Sequence, residues 1–526
     1  MRTIYKTDNA FVSIDKINGN FEELAGADSK TVAQGILNGA GMTFVFGYVN
    51  AYPGDVITIQ FPGGDFSTPA SGVYGKLSVG YRDNADVIHP LFLCRGNNPV
   101  QSQYDIFISS ALGDDYKDLY IAIRANNGVS VPYVVTRRNQ EIKQYFRKEL
   151  AETIAQAKAR ITNDNCLVFP LITDIHYRSS NEYDAQSIAP YLAISSGDNM
   201  AEIGRQIRFD NVVCLGDIID GFNSTYLAKA DSNDMMHIFS GVDSPLLNVL
   251  GNHDDNRYGD GLLTENEIYA SFLRNIDERV IRGPMNGANW YRDIEQKKIR
   301  IIGLCAINYS GDYDYTTETQ NWFTETLNSL PEDYKSIILL HVPPVNAQTF
   351  NGSGYRGGTE IANIINTYTD KIIAVFQGHT HLDNVFVSPY LAISTSCNKC
   401  YNPESITGAP EDSVFPERST GTESEDLFEI VVCDTENNLL SCIRFGAGVN
   451  RYINYLPISV SAGGTVTLTP NVISPSSWTT RASESQYISI NNGVVSISSS
   501  AVSGSRLIAR ASDASGNMEI WIIKVS

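Results

Sequence analysis

The chain has 526 residues, 42% of them hydrophobic and 19% charged, with a formal net charge of −20. That balance excludes a disordered chain. It argues against nucleic acid or an anionic membrane surface as partner, because no basic cluster offsets the acidic excess. At roughly 100–200 residues per domain the length suggests three or four domains.

Residues 1–40 are short, polar and separate in character. Met1–Ala10 continues into polar sequence without the apolar core of a secretory signal, which leaves a cytoplasmic location open. No apolar run is long enough to span a membrane. Between 41 and 135, short apolar runs recur at Thr43–Val49, Val56–Gln60, Val87–Cys94, Tyr104–Ser109, Leu119–Ile123 and Val129–Val135. Turn residues bound each of them, which predicts an antiparallel β-sandwich. Over Arg137–Ala159, Ile142, Phe146, Leu150, Ile154 and Ala155 repeat near a helical period and predict one amphipathic helix.

From Asn165 to about Gly448 the pattern alternates. Cys166–Ile172, Val212–Leu215, Leu246–Leu250, Ile299–Ile307, Ile337–Leu340 and Ile372–Phe376 read as buried strands. Asp184–Leu192, Asn199–Ile207, Glu265–Asn275, Glu318–Leu330 and Thr359–Thr367 read as helices between them. The expectation is an α/β layered domain over 136–455, closed by a hairpin over Phe428–Phe445. The tail, 456–526, is rich in Ser, Thr and Gly. Strand candidates at Ile458–Val460, Gly464–Thr469, Tyr487–Ile490, Val494–Ile497, Leu507–Arg510 and Met518–Val525 predict a small β-sandwich.

Chemistry-bearing residues concentrate just beyond the buried strands. Asp174 and His176 follow the first, Asp217 the second, and Asn252 and His253 the third. His341 follows Ile337–Leu340, and His379 and His381 follow Ile372–Phe376. Ligands of open α/β sheets bind outside the carboxyl ends of the strands. Of seven histidines only His89 and His237 lie elsewhere, so a set of unrelated structural histidines explains the pattern poorly. The cysteines, Cys94, Cys166, Cys214, Cys305, Cys397, Cys400, Cys433 and Cys442, lie largely in apolar runs and read as free buried thiols. Cys397 and Cys400 have the spacing of a zinc knuckle or disulfide, without a second pair nearby.

Five blocks resemble the calcineurin-like metallophosphoesterase superfamily: Asp174-Ile-His176, Gly216-Asp217-Ile-Ile-Asp220-Gly221, Gly251-Asn252-His253-Asp254, His341 and Gly378-His379-Thr-His381. They occur in the expected order over a little more than half the chain. The resemblance implies two metal ions of manganese, iron or zinc type. Asp174, His176 and His381 would hold one, Asn252, His341 and His379 the other, and Asp217 would bridge both. It implies a phosphomonoester or phosphodiester substrate, clamped by the two cations. It further implies that His253 protonates the leaving oxygen, oriented by the Asp220 carboxylate. Asp254 either orients a ligand from behind or caps the next segment. Gly221 stands where protein serine/threonine phosphatases carry arginine. Asp220 stands where purple acid phosphatases carry a metal-binding tyrosine. Both subtypes are disfavoured. Arg418–Gly448 resembles the closing hairpin of a bacterial or phage branch.

The flanks carry weaker resemblances. Thr7-Asp-Asn-Ala-Phe11 through Ile17-Asn-Gly-Asn-Phe21-Glu-Glu-Leu24 is similar to the start of phage tail, baseplate and fibre proteins, and the last 70 residues resemble a bacterial immunoglobulin-like module. Together they imply a homo-oligomer on a virion or extracellular surface assembly, with other virion proteins or a cell-surface glycan as partners. The competing reading is a catalytically inactive structural or receptor-binding protein that reuses the phosphoesterase fold.

Overall fold

Paired aliphatic residues two positions apart define the strands of the N-terminal region. Ile57 and Ile59, Ile106 and Ile108, and Leu119 and Ile121 are all buried, as alternation on a half-buried sheet requires. In the computed structural model, the strands here are β1 (Ser29–Asn38), β2 (Thr43–Val49), β3 (Val56–Gln60), β4 (Leu77–Asp83), β5 (Ile88–Cys94), β6 (Gln103–Phe107), β7 (Tyr116–Ala125) and β8 (Ser130–Arg138). They form two four-stranded antiparallel sheets, ordered β1-β8-β3-β6 and β2-β7-β4-β5. His89 on β5 lies 2.8 Å from the Asp83 carboxylate, a local pairing. Within residues 29–138 the structure describes these strands and a few adjoining residues; beyond them it describes 145–178, 190–307, 314–345, 348, 356–402 and 407–526. The expected attachment motif, Thr7–Leu24, lies outside the described residues.

Two compact units divide the chain. The first comprises 1–142, 177–194 and 233–237, and the second 143–176, 195–232 and 238–526. In the second, α1 (Phe146–Arg160) buries Phe146, Leu150, Thr153, Ile154 and Ala157, a single helical stripe. It starts later than Arg137–Ala159, because β8 extends to Arg138. Phe146 meets Phe445 of the closing hairpin, ring centroids 5.4 Å apart.

The elements that follow are β9 (Leu167–Ile172), α2 (Pro190–Gln206), β10 (Val212–Cys214), α3 (Thr225–Ser240), β11 (Leu246–Asn248), α4 (Glu265–Ile268), β12 (Ile281–Arg282), β13 (Trp290–Ile294) and β14 (Ile299–Leu304). Next come α5 (Thr317–Asn328), β15 (Lys335–Leu340), α6 (Gly358–Thr367), β16 (Ile372–Gln377), β17 (Asn384–Phe386), β18 (Ala392–Ser394), β19 (Leu427–Asp434), β20 (Leu439–Gly446) and β21 (Arg451–Val460). The last are β22 (Thr465–Thr467), β23 (Ser477–Thr479), β24 (Ile488–Asn491), β25 (Val494–Ile497), β26 (Arg506–Ser512) and β27 (Met518–Val525).

One sheet runs β11-β10-β9-β19-β20-β21-β27-β26-β23, the other β12-β13-β14-β15-β16-β18-β17. Strands β9, β10 and β11 are parallel, as are β14, β15, β16 and β18. A single apolar core joins the two sheets, with Leu167, Phe169, Leu171, Val213 and Leu247 from one and Ile301, Ile337, Leu339 and Phe376 from the other. Helices α5 and α6 cover the outer face of the second sheet through Phe323, Leu327, Ile361 and Ile365. This is a central mixed α/β core, flanked by β-rich regions.

Two expected boundaries fall inside strands. Position 135/136 lies within β8 and position 455/456 within β21. Strand β27 pairs parallel with β21, so the tail continues the large sheet and adds the three strands β22-β25-β24 against it. Their shared core includes Val460, Ile488, Val495, Leu507, Trp521 and Ile523. Among the described residues, no helix is long and apolar enough to cross a membrane.

Candidate metal centre

Five of the buried parallel strands, β9, β10, β11, β15 and β16, end in short turns, and those turns bring the predicted residues together. Asp174 and His176 follow β9, Asp217 and Asp220 follow β10, and Asn252, His253 and Asp254 follow β11. His341 directly follows β15, and His379 and His381 follow β16. The turns are sharp. Asp174, His176, Asp217, His379 and His381 all take positive φ, between 49° and 68°. Residues with a Cβ rarely adopt that conformation, and it costs of order 1 kcal/mol or more each. Neighbouring glycines make the crowding possible. A Cβ on Gly251 would overlap the Asp217 carboxylate, and one on Gly378 the Asp174 carboxylate and Thr173 Oγ1.

The donor atoms converge in groups. Asp174, His176 and His381 form one, and Asp217, His341 and His379 another. In the first, His176 Nε2 lies 3.1 Å from His381 Nε2, and His381 Nε2 lies 3.2 Å from Asp174 Oδ1. In the second, His341 Nε2 is 3.1 Å from Asp217 Oδ2 and 3.2 Å from Asn252 Oδ1, to which His379 Nδ1 also approaches at 2.7 Å. Asp217 Oδ2 is also 3.7 Å from His176 Nε2, so this carboxylate lies between the groups. Main-chain bonds fix the frame: Asp174 N–H to Gly216 O at 3.0 Å, His176 N–H to Asp217 O at 2.9 Å, and His253 N–H to Asp217 Oδ1 at 2.8 Å. Leu215 O, 2.8 Å from His341 Nδ1, orients that ring with Nε2 toward the centre.

Electrostatics show what such proximity demands. Burial opposes the charged form of Asp217, yet the surrounding imidazoles hold its pKa well below the usual carboxylate range. Burial likewise disfavours a charged His341, but Asp217 and Asp174 outweigh it and push the pKa up to about 9. His379 goes the other way, down to about 4, through burial and its neighbour His341. His176 is also driven well down, chiefly by burial, and its Nδ1 is buried without a hydrogen-bond partner. Lone pairs of imidazole and carboxylate thus face one another across about 3 Å, the donor set of a borderline transition-metal ion. The residues present fit two such ions.

His253 and Asp220 stand beside this set. His253 Nδ1 lies 2.6 Å from the main-chain carbonyl of Asp220, and the Asp220 carboxylate, His253 and His176 form a third group of donor atoms within 4.8 Å of one another. The Asp220 carboxylate lies 3.6 Å from His176 Nδ1 and 3.9 Å from Lys399 Nζ. Asp254 ties two turns together, accepting from Ile218 N–H at 2.8 Å, Ile219 N–H at 3.2 Å and Gly251 N–H at 2.8 Å. Burial and the nearby Asp217 still raise its pKa to about 7.

Sequence reasoning passed over several neighbours. Lys399 was hidden inside the Cys397–Cys400 spacing. Both cysteines are free of a disulfide, and Cys397 Sγ donates to Lys399 O at 3.2 Å. Their loop is bonded to the first turn, through Asn398 N–H to Thr173 O at 2.8 Å and Lys399 N–H to Asp174 O at 3.2 Å. Buried Arg418 holds the same loop, donating to the carbonyls of Cys397 at 2.7 Å and Asn398 at 2.9 Å. Phe222 and Tyr258 flank His253, and the only sequence signal was their position beside the motifs. Tyr177, by contrast, is buried, with its hydroxyl 3.1 Å from Asp234 Oδ2.

A dimetal phosphatase from Danio rerio is 13% identical over 55% of this chain and 99% of its own, with a TM-score of 0.42. The calcineurin-like phosphoesterase YfkN from Bacillus subtilis is 14% identical over 52% of this chain and 85% of its own, with a TM-score of 0.30. No curated protein matches the chain. The family model for calcineurin-like phosphoesterases matches residues 169–383, which contain every predicted ligand. The chain therefore carries a calcineurin-like metallophosphoesterase domain with a dinuclear metal-binding site, the equipment of a metal-dependent phosphoesterase.

Proposed function

We propose that the chain hydrolyses a phosphomonoester or phosphodiester with Asp174, His176 and His381 holding one ion, Asn252, His341 and His379 the other, and Asp217 both. The observation that carries this reading is the position of Asp217 Oδ2, 3.1 Å from His341 Nε2 in one group and 3.7 Å from His176 Nε2 in the other. Two bound ions of manganese, iron or zinc type would polarise the phosphoryl oxygens and supply a water of lowered pKa. The protein's own part is positioning and proton delivery. With Nδ1 directed at the Asp220 carbonyl, His253 turns Nε2 toward the centre, 3.9 Å from Asp217 Oδ2. In its imidazolium form His253 would carry on Nε2 the proton that passes to the leaving oxygen. Asp220 thus supports the acid through its main chain, while its carboxylate faces the His176 ring at 3.6 Å and Lys399 Nζ at 3.9 Å.

The test is to supply manganese or zinc to the purified protein and assay p-nitrophenyl phosphate and bis-p-nitrophenyl phosphate. Turnover of at least one is expected. Two metals bound with no hydrolysis of any ester would overturn the reading.

The setting of the enzyme is a second part of the proposal. The similarity of Thr7–Leu24 to phage tail and fibre proteins supports a homo-oligomer displayed on a virion or surface assembly. The tail's likeness to an immunoglobulin-like module supports a spacer or surface-binding role there, and the 41–135 sandwich is a candidate for binding glycan. Light scattering of the intact chain gives the test, with a trimer or higher oligomer expected and a monomer against it.

A further inference from the structure

We propose that Phe222 and Tyr258 form a stacking platform for the leaving group, and that the substrates are phosphate esters of nucleosides. This rests on the phosphoesterase reading above. The two rings stack on each other, with centroids 5.1 Å apart at 19°. They are nonetheless among the most exposed large apolar side chains of the described residues, at 47% for Phe222 and 45% for Tyr258. Each also packs on the His253 ring, Tyr258 at 4.7 Å and Phe222 at 5.8 Å. Tyr258 Oη lies 3.5 Å from Asn252 Nδ2, which places the platform at the rim of the centre.

Two loops hold the rings in place before any ligand arrives. Tyr258 N–H donates to Gly221 O at 3.1 Å and Asp260 N–H to Asn223 O at 3.3 Å. Asn256 Nδ2 donates to Asn223 O at 2.9 Å. Gly221 has φ +70° and sits so close to the His253 main chain that no side chain fits. The stack is therefore rigid, and rigid aromatic surface binds planar groups at little entropic cost. Its place fixes what it meets. If His253 protonates the leaving oxygen, the leaving group extends past His253, over these rings. A nucleobase one ribose from that oxygen can stack there, and stacking accepts any base because every base has a π-face. The acidic chain offers no basic track for a polymer, which favours small nucleotides.

The experiment compares esters whose leaving alcohols are alike in basicity but differ in having a base. For the manganese-loaded protein, kcat/KM is measured on adenosine monophosphate against glycerol 3-phosphate, and on a dinucleoside phosphate against glycerophosphoglycerol. The nucleoside ester is expected to be preferred, and the preference to fall by about 10–100-fold in Phe222→Ala and Tyr258→Ala. Tyr258→Phe, which keeps the ring, should retain it. Calorimetric binding of adenosine monophosphate should weaken about 10-fold or more in Phe222→Ala. A wild-type preference near one, or equal losses on both esters in the alanine variants, would overturn the platform. Failure of the wild type to turn over any ester would instead remove the phosphoesterase reading. The binding measurement would then still decide the platform, since unchanged or absent binding counts against it.

Discussion

Two buried clusters of charge in the second unit are neutralised in opposite ways. In one, Arg444 Nη2 lies 2.8 Å from Asp383 Oδ1 and 3.0 Å from Glu429 Oε1, with Arg451 on the same two carboxylates. Two guanidinium groups meet two carboxylates, Thr395 Oγ1 donates to the remaining Glu429 Oε2, and Ser396 N–H donates to Asp383 Oδ1, the oxygen that Arg444 also meets. Burial would raise the Asp383 pKa, but Arg444 and Arg451 hold it low. The other cluster is the metal centre, where Asp174, Asp217, Asp220 and Asp254 face imidazoles and one lysine. The first balances its own charge; the second is arranged for cations from outside. Asp383 lies only two residues beyond His381, so the closed cluster also anchors the turn that carries a ligand of the open one.

Removing the central carboxylate should have the largest effect. Asp217→Ala is expected to reduce bound metal from two ions to fewer than one per chain and bring hydrolysis to background. Elemental analysis beside the phosphatase assay reads both. Retention of two ions with activity would show that the centre does not depend on this carboxylate and would erase the contrast with the arginine cluster.

The acid should separate from the ligands. His253→Ala is expected to keep both ions while lowering turnover by about 10²–10⁴-fold. If the ions leave with the imidazole, His253 is a ligand and the donor set must be redrawn.

Breaking the self-balanced cluster should cost stability instead of metal. Arg451→Met leaves Glu429 and Asp383 buried with half their counter-charge, a loss of about 3–5 kcal/mol. Urea unfolding is the measurement, with metal content of the surviving folded protein unchanged. A chelator should show the reverse pattern. Stripping ions held at 100-fold their dissociation constant should remove about 2.7 kcal/mol per ion from the wild type, and far less from Asp217→Ala.

The open cluster was far more legible in sequence than the closed one. Its residues follow compact apolar strands at short, fixed distances, and five blocks in order identify them. Arg444, Arg451, Asp383 and Glu429 lie on different strands or turns, and only tertiary pairing brings them together. Strands with clean turn boundaries, such as β2, β3, β25 and β27, were read to the residue. Helix α3 was missed, since Lys229, Asp231, Ser232 and Asp234 interrupt its apolar stripe. Helix α2, Pro190–Gln206, runs through most of the helix expected at 199–207 and begins before it, whereas 184–189 lie outside the described residues. The boundary expected at 455/456 falls inside β21, because that strand pairs with β27 from 65 to 67 residues downstream and the pairing leaves no local pattern. Lys399 and Arg418 belong to the same class: their roles come from where a loop is folded back.

Asp254 tests the contrast most finely, because it is an acidic group in the open cluster that binds main chain. Oδ1 accepts from Ile218 and Ile219, and Oδ2 from Gly251. A carboxylate can accept on both oxygens, whereas an amide can accept on one only. In Asp254→Asn, the amide nitrogen must face either Gly251 N–H or the Ile218 and Ile219 N–H groups, donor against donor. The turn carrying Asp217 or that carrying Asn252 should then shift, weakening metal affinity by about 10–100-fold. Metal titration of the variant measures this. An unchanged affinity would mean that the turns are held by their strained backbone alone, and that Asp254 is to this centre what Asp383 is to its arginines, a buried charge balanced within the fold.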